Sequence, residues 1–194
     1  MKLLHAFGVL AREGETLCGD AVLAQVAGDR AMFAVIDALG HGEGAWRVAQ
    51  RAMTCLERLP RGADAATALD ALNVGLHGTR GAVATICCVR GAEAELIGIG
   101  NVTCRSLNGS VPFVSRPGIV GARRTLHKGT LVTLSAGQRL VMHSDGVSHR
   151  FDLRTLSGMS PAEAAAFILR NHRYPNDDAS VLVIDIKAGV ETTP

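Results

Sequence analysis

Aromatic rings are scarce in this chain: one Trp, one Tyr and five Phe make up 4 % of 194 residues. A surface of stacked rings, of the kind that grips single-stranded nucleic acid, cannot be built from so few. Charge of one sign is also missing. Twenty Lys and Arg stand against 18 Asp and Glu, a formal net charge of +2, with acids and bases interspersed. That excludes a broad basic field for a nucleic-acid backbone. No run of about 18 apolar residues occurs, so no membrane-spanning helix is expected. The start, Met1 to Ala11, imitates a leader, but His5 breaks its apolar run. Arg12, Glu13 and Glu15 then stand where a small-residue cleavage site belongs, and the segment reads as a first strand. Cys18, Cys55, Cys87, Cys88 and Cys104 form no even framework and no CxxC. They fit reduced thiols in a cytoplasmic protein better than a disulfide scaffold, and the seven His show no zinc spacing with them. There is no GxxxxGK[ST] loop, and Gly98-Ile99-Gly100-Asn101 lacks the third Gly and the following helix of a dinucleotide fingerprint.

What is present is a foldable chain, 47 % apolar and 20 % charged. Residues 1–187 read as one domain and 188–194 as a C-terminal tail. Ala21–Val26 and Ala31–Ile36 flank Gly28-Asp29-Arg30 and predict a hairpin. Ala45, Val48, Ala49, Ala52, Met53, Leu56 and Leu59 form a helical stripe that ends at Pro60 and Gly62. A second helix is expected from about Ala63 to Leu76. Short apolar runs follow at Val83–Val89, Ala94–Ile99, Val102–Leu107, Val111–Val114, Leu131–Leu134 and Arg139–His143. Asn108-Gly109 is the strongest hairpin signal among them. Ser160-Pro161-Ala162-Glu163 is a capping box that opens a third helix, and Ala179–Ile186 is a last strand. Strands, two helices, many strands, a helix and a strand predict an α+β fold with helices covering antiparallel sheets.

Acids recur at strand ends. Asp20 opens one strand, Asp37 and Asp145 each close one, and Asp177-Asp178 precede the last. In the predicted hairpin the start of one strand and the exit of the other share an end, which brings Asp20 and Asp37 together. Ionised acids beside a core must be paired, hydrogen-bonded or bound to a cation. Converging carboxylates suit the hard cations Mg²⁺ and Mn²⁺, which can turn a bound water into a nucleophile at neutral pH. Gly40-His41-Gly42-Glu43-Gly44, leading into a helix, has the form of an anion site and equally of any tight strand-to-helix turn. Arg116, Arg123, Arg124, His127 and Lys128 form a basic group that reads as a solvated face.

Ile36-Asp37-Ala38-Leu39-Gly40-His41-Gly42, Ser144-Asp145-Gly146-Val147 and Asp177-Asp178-Ala179-Ser180-Val181-Leu182-Val183 resemble the metal-dependent serine/threonine protein phosphatases of the 2C type. The resemblance is closer to the compact bacterial branch that includes RsbX and the SpoIIE phosphatase domain. Cys18-Gly19-Asp20, Gly98-Ile99-Gly100-Asn101 and Pro117-Gly118-Ile119-Val120-Gly121 add to it, and together it spans roughly residues 5 to 186. It implies a four-layer α-β-β-α sandwich with two Mn²⁺ or Mg²⁺ ions at one end. Asp37 would bridge both ions and the Ala38 carbonyl would reach one of them. Asp145 and Asp177 would bind on the other side, with Asp20 near and Asp178 neighbouring. The implied catalytic set is Asp20, Asp37, Asp145 and Asp177, hydrolysing phosphoserine or phosphothreonine through metal-activated water. Gly40, His41, Gly42 and Arg12 are the candidates for holding phosphate. Ala38 stands where the family has Gly, and His41 is not at the position of the general-acid His of the eukaryotic members. The implied partner is a phosphorylated bacterial signalling protein of the STAS-domain, anti-anti-sigma or stressosome type. A catalytically weak or inactive binding module on the same fold is the alternative. An ATP-binding anti-sigma kinase fits poorly, since Asp37 to Gly40 is one residue too long for its Asp-x-Gly-x-Gly box.

Overall fold

The structure, a computed structural model, describes residues 1–122 and 128–189. Among the described residues nine strands form two antiparallel sheets. One sheet has the order β1-β9-β8-β6 and the other β2-β3-β4-β5-β7. The strands are β1 (Lys2–Leu10), β2 (Asp20–Ala27), β3 (Arg30–Ala38), β4 (Ala82–Arg90), β5 (Glu93–Ile99), β6 (Thr103–Leu107), β7 (Thr130–Thr133), β8 (Arg139–His143) and β9 (Ala179–Lys187). The helices are α1 (Gly42–Glu57), α2 (Ala65–Gly75) and α3 (Pro161–His172), with a short 3-10 turn at Leu153–Leu156.

Strand periodicity assigns the layers. On β3, Met32, Ala34 and Ile36 face one way, onto the apolar stripes of α1 and α2 with Ala45, Ala49, Leu69 and Leu72. Ala31, Phe33 and Val35 face the other way, onto Leu140, Met142, Leu182 and Ile184 of the opposite sheet. The far face of that sheet, Val141, Val181 and Val183, packs on Ala165, Ile168 and Leu169 of α3. Three apolar layers therefore separate four layers of secondary structure, the expected α-β-β-α sandwich. No helix among the described residues is long and apolar enough to cross a membrane.

α1 stops at Glu57, three residues before Pro60, because the residue preceding a proline is pushed out of the helical region. Asp64 caps α2 by accepting from Thr67 N. The capping box of α3 forms in full at Ser160 and Glu163. On the four-stranded sheet, Arg139 of β8 places Nε 2.5 Å from Asp185 Oδ1 of β9 and donates to the Leu156 and Met159 carbonyls. This buried pair pins the segment before α3 to β8 and β9.

Two expectations fail. The Asn108-Gly109 turn is real, with Asn108 left-handed at φ 58°, but it does not close a hairpin. Val111–Val114 is not a strand; Val111 and Phe113 turn onto the inter-sheet core, and β6 pairs with β8. Burial of two apolar side chains outweighs the local turn signal. Arg123, Arg124 and His127 of the basic group, and residues 190–194 of the tail, lie outside the described residues.

Candidate metal centre

The centre lies at the end of the sandwich where β2 starts and β3 finishes. Asp20 and Asp37 are directly opposed in the β2–β3 register. Asp20 is buried, 4 % exposed, and neither of its oxygens has a hydrogen-bond partner. Burial pushes its carboxyl up to about 7; the nearby Ser144 and Ser180 hydroxyls pull it down without reaching bonding geometry, and Asp178 and Asp145 raise it further. Asp37 is pushed up to about 9, first by burial and then by the carboxylates of Asp20, Asp145 and Asp177. Asp177 is also raised, by burial and by Asp145, while Arg12 draws it partly back. Burial and mutual repulsion together favour the protonated forms of these groups, and added positive charge would favour the ionised ones.

Each acid is delivered by its own local structure. Asp145 follows β8 at an exposed turn and accepts from Asn101 Nδ2 at 2.7 Å. Asn101 reaches it because Gly100 is left-handed at φ 93° and passes close to Val83, where a side chain would collide. Gly146 leaves no room for a Cβ against the Asp178 carbonyl, so the turn carrying Asp145 lies directly on the one carrying Asp177 and Asp178. Asp178 is buried with both oxygens engaged: Oδ1 accepts from Arg12 N at 2.9 Å and Oδ2 from Gly19 N at 2.7 Å. Its part is to tie the loop between β1 and β2 to the start of β9. Ala38 is buried on β3 and donates its N–H to Gly19 O at 3.1 Å. Its φ is not positive, so the Cβ that replaces the usual Gly hydrogen is accommodated.

The mouth is polar. His41, the N-cap of α1, has Nδ1 2.6 Å from Glu15 Oε1, flanked by left-handed Gly40 (φ 84°) and Gly42 (φ 69°). Arg12 Nε lies 3.7 Å from Glu15 Oε1. The structure thus brings Asp20, Asp37, Asp145, Asp177 and Asp178 to one end, with Arg12, Gly40, His41 and Gly42 on the adjoining loops.

Among the described residues no three His, Cys, Asp or Glu side chains draw tightly enough together to enclose a cation by themselves. Mg²⁺ does not ask for such a cage: it keeps several waters and takes one or two carboxylates. An orphaned, buried Asp20 carboxylate amid raised acidic neighbours, all oxygen donors, fits hard divalent cations.

Comparison with solved structures agrees in fold. A chain of the bacterial stressosome, described as a modular system adapted to control secondary messenger signalling, superposes with TM-score 0.86 at 28 % identity, covering 95 % of this chain and 100 % of that one. RsbX in complex with magnesium superposes with TM-score 0.83 at 20 % identity, over 94 % of both chains. The PP2C phosphatase domain of SpoIIE from Bacillus subtilis, with a fragment of its regulatory domain, gives TM-score 0.78 at 20 % identity, over 96 % of this chain and 64 % of that one. The chain has the PP2C phosphatase fold. No family model and no curated protein matches it by sequence.

Within that PP2C fold, sequence reasoning missed Arg80. Its Nη1 donates to the Leu39 carbonyl at 3.1 Å, and its guanidinium lies on Gly40 and Gly44, where any side chain would meet it. The signal was the pair Gly40 and Gly44, four residues apart, which leaves room for Arg80 at the α1 N-terminus; Gly42 faces Glu15 instead. The loop-anchoring use of Asp178 was likewise not visible, because its partners are backbone amides of Arg12 and Gly19, about 160 residues away.

Proposed function

We propose that this protein is a Mg²⁺- or Mn²⁺-dependent serine/threonine phosphatase acting on a phosphorylated bacterial signalling protein. The observation that carries the reading is the pair Asp20–Asp37: two opposed acids, one buried with both oxygens unpartnered, at the open end of a PP2C sandwich. Asp37 would serve both ions, with the Ala38 carbonyl on one of them and Asp145 and Asp177, with Asp20 near, on the other side. Such ions supply charge neutralisation for the phosphoryl group and a water acidic enough to attack at neutral pH.

The chain's own residues do the rest. Asn101 fixes the Asp145 carboxylate through its amide. Asp178 holds the Arg12–Gly19 loop in place, which sets Arg12 beside Asp177 and Glu15 beside His41. The free N–H groups at Gly42 and after it, together with Arg12, Arg80 and His41, offer positive charge and donors to phosphate oxygens. Likeness to a chain of the bacterial stressosome supports a phosphorylated signalling protein as the substrate, and the sequence resemblance makes a STAS-type protein the candidate.

Hydrolysis of a phosphoserine peptide and of p-nitrophenyl phosphate tests this, with Mn²⁺, Mg²⁺ or EDTA. The expected result is metal-dependent turnover that falls by ~100-fold or more in Asp37→Asn. A folded protein that neither turns over substrate nor binds Mn²⁺ in calorimetry would overturn the reading in favour of a binding module.

A further inference from the structure

A cavity of about 700 Å³ lies at the opposite end of the five-stranded sheet from the acids. Its floor is the helix-facing side of β2–β5 where the sheet runs beyond α1 and α2. Its roof is the α1–α2 loop, Arg58 to Asp64. The volume is that of a small-molecule site.

Three arginines enter it: Arg30 from β3, Arg90 from β4 and Arg61 from the roof. None makes a hydrogen bond or ion pair with a described residue. Arg30 and Arg90 are register partners on adjacent strands, so two like charges stand directly opposed, an arrangement that costs stability. Arg30 crosses from floor to roof and lies against Gly62, where a side chain would collide with its guanidinium; Gly62 is left-handed at φ 87°. The nearby acids Asp64 and Glu95 are turned to the start of α2, whose positive end offsets part of their charge. Asp64 Oδ1 accepts from Thr67 N at 2.7 Å and Glu95 Oε2 from Ala65 N at 3.1 Å, both at the start of α2. Glu93 faces Arg90 across the β4–β5 register, and Asp64 lies near enough to Arg90 for the guanidinium to lower its carboxyl. Glu57, at the end of α1, is the remaining acid of the wall. Apolar surface completes the cavity: Leu59 lies in the roof, and Val26 and Leu131 are 43 % and 76 % exposed at its rim.

We propose that this cavity is a binding site for a nucleotide-sized organic phosphate. The phosphates lie between Arg30, Arg61 and Arg90, whose planar guanidiniums pair with phosphate oxygens in a bidentate manner. The organic body lies on the apolar rim. The site is separate from the acid centre and does not depend on the phosphatase reading.

Calorimetric titration of ATP into the metal-free protein in EDTA tests it, because the acid cluster without cations repels the same ligand. Saturable binding of one ATP is expected, weakened ~10-fold or more by Arg30→Ala or Arg90→Ala, with unchanged circular dichroism. Arg47→Ala, an exposed change on α1, and Asp37→Asn keep the wild-type affinity. The proposal is overturned by the absence of saturable heat, or by arginine variants that bind like wild type. It is equally overturned if inorganic pyrophosphate binds as tightly as ATP, which would reduce the cavity to an anion patch, or if only a phosphoserine peptide binds.

Discussion

Asp145 and Asp20 show two ways of holding an acid at the same centre. Asp145 is exposed and steadied by one amide, from Asn101 at 2.7 Å. Asp20 is buried with nothing bonded to either oxygen, and the nearby Ser144 and Ser180 hydroxyls offset only part of the cost of its charge, which a cation would offset further. The two should answer differently to mutation. Asn101→Ala leaves Asp145 in place but loosens its orientation, and Mg²⁺ affinity is expected to drop ~10-fold, in the range found when a partner behind a ligand is removed. Calorimetry of Mg²⁺ binding to a variant with unchanged Tm checks this; an unchanged affinity would separate Asn101 from the centre. Asp20→Asn removes a charge that the metal-free fold carries at a penalty. In EDTA near neutral pH it is expected to raise Tm by roughly 2–8 °C, about 1–2 kcal/mol, while the stabilisation by added Mg²⁺ shrinks. A lower Tm in EDTA would show that the carboxylate is satisfied in a way the geometry does not reveal.

The elements that meet at the centre are joined by loops rather than by sheet pairing. The β1–β2 loop is fastened to the β9 entrance by Asp178, through the amides of Arg12 and Gly19. Asp178→Ala strands both amides, and a loss of about 2–4 kcal/mol, a Tm fall of roughly 5–15 °C, is expected. Amide exchange should rise in residues 11–19 before it rises in β3; uniform loosening would mean the tie is not local. The contrast with Asp37 explains what a sequence makes legible. Hairpin periodicity places Asp20 opposite Asp37 because strand register is a local property of alternation and turn length. The capping box before α3 and the α1 stripe are readable for the same reason. Bonds between a side chain and a distant backbone amide leave no periodic trace, so the role of Asp178 is invisible, as is Arg80 over its glycines. Val111–Val114 misleads for the opposite reason: an apolar run before a turn looks like a strand, yet its residues pack on a core whose nearest strands already have partners.

At the scale of the whole sandwich, stability and function pull in opposite directions at one end. Two sheets and three helices bury continuous apolar layers, and the acids are placed where those layers stop. The consequence is a pH dependence of the metal-free protein with a definite sign. Burial and the neighbouring acids push the Asp20 and Asp37 carboxyls up to about 7 and about 9 in the fold, against an ordinary carboxyl value of 3.8. Between these limits the folded state holds protons that the unfolded chain has released. Stability from these two groups is therefore greatest at acid pH and is lost as pH rises from about 4 through about 9. Thermal unfolding in EDTA, from about pH 5.5 to about pH 9, should show Tm falling more steeply in wild type than in Asp37→Asn, since the variant has one fewer carboxyl to ionise. Saturating Mg²⁺ should flatten the wild-type slope, because binding favours the ionised acids most where their repulsion is greatest. Parallel slopes for wild type and Asp37→Asn in EDTA would mean that neither burial nor the neighbouring acids hold the Asp37 carboxyl above its ordinary value. The assignment of the centre would then have to shift away from the Asp20–Asp37 pair.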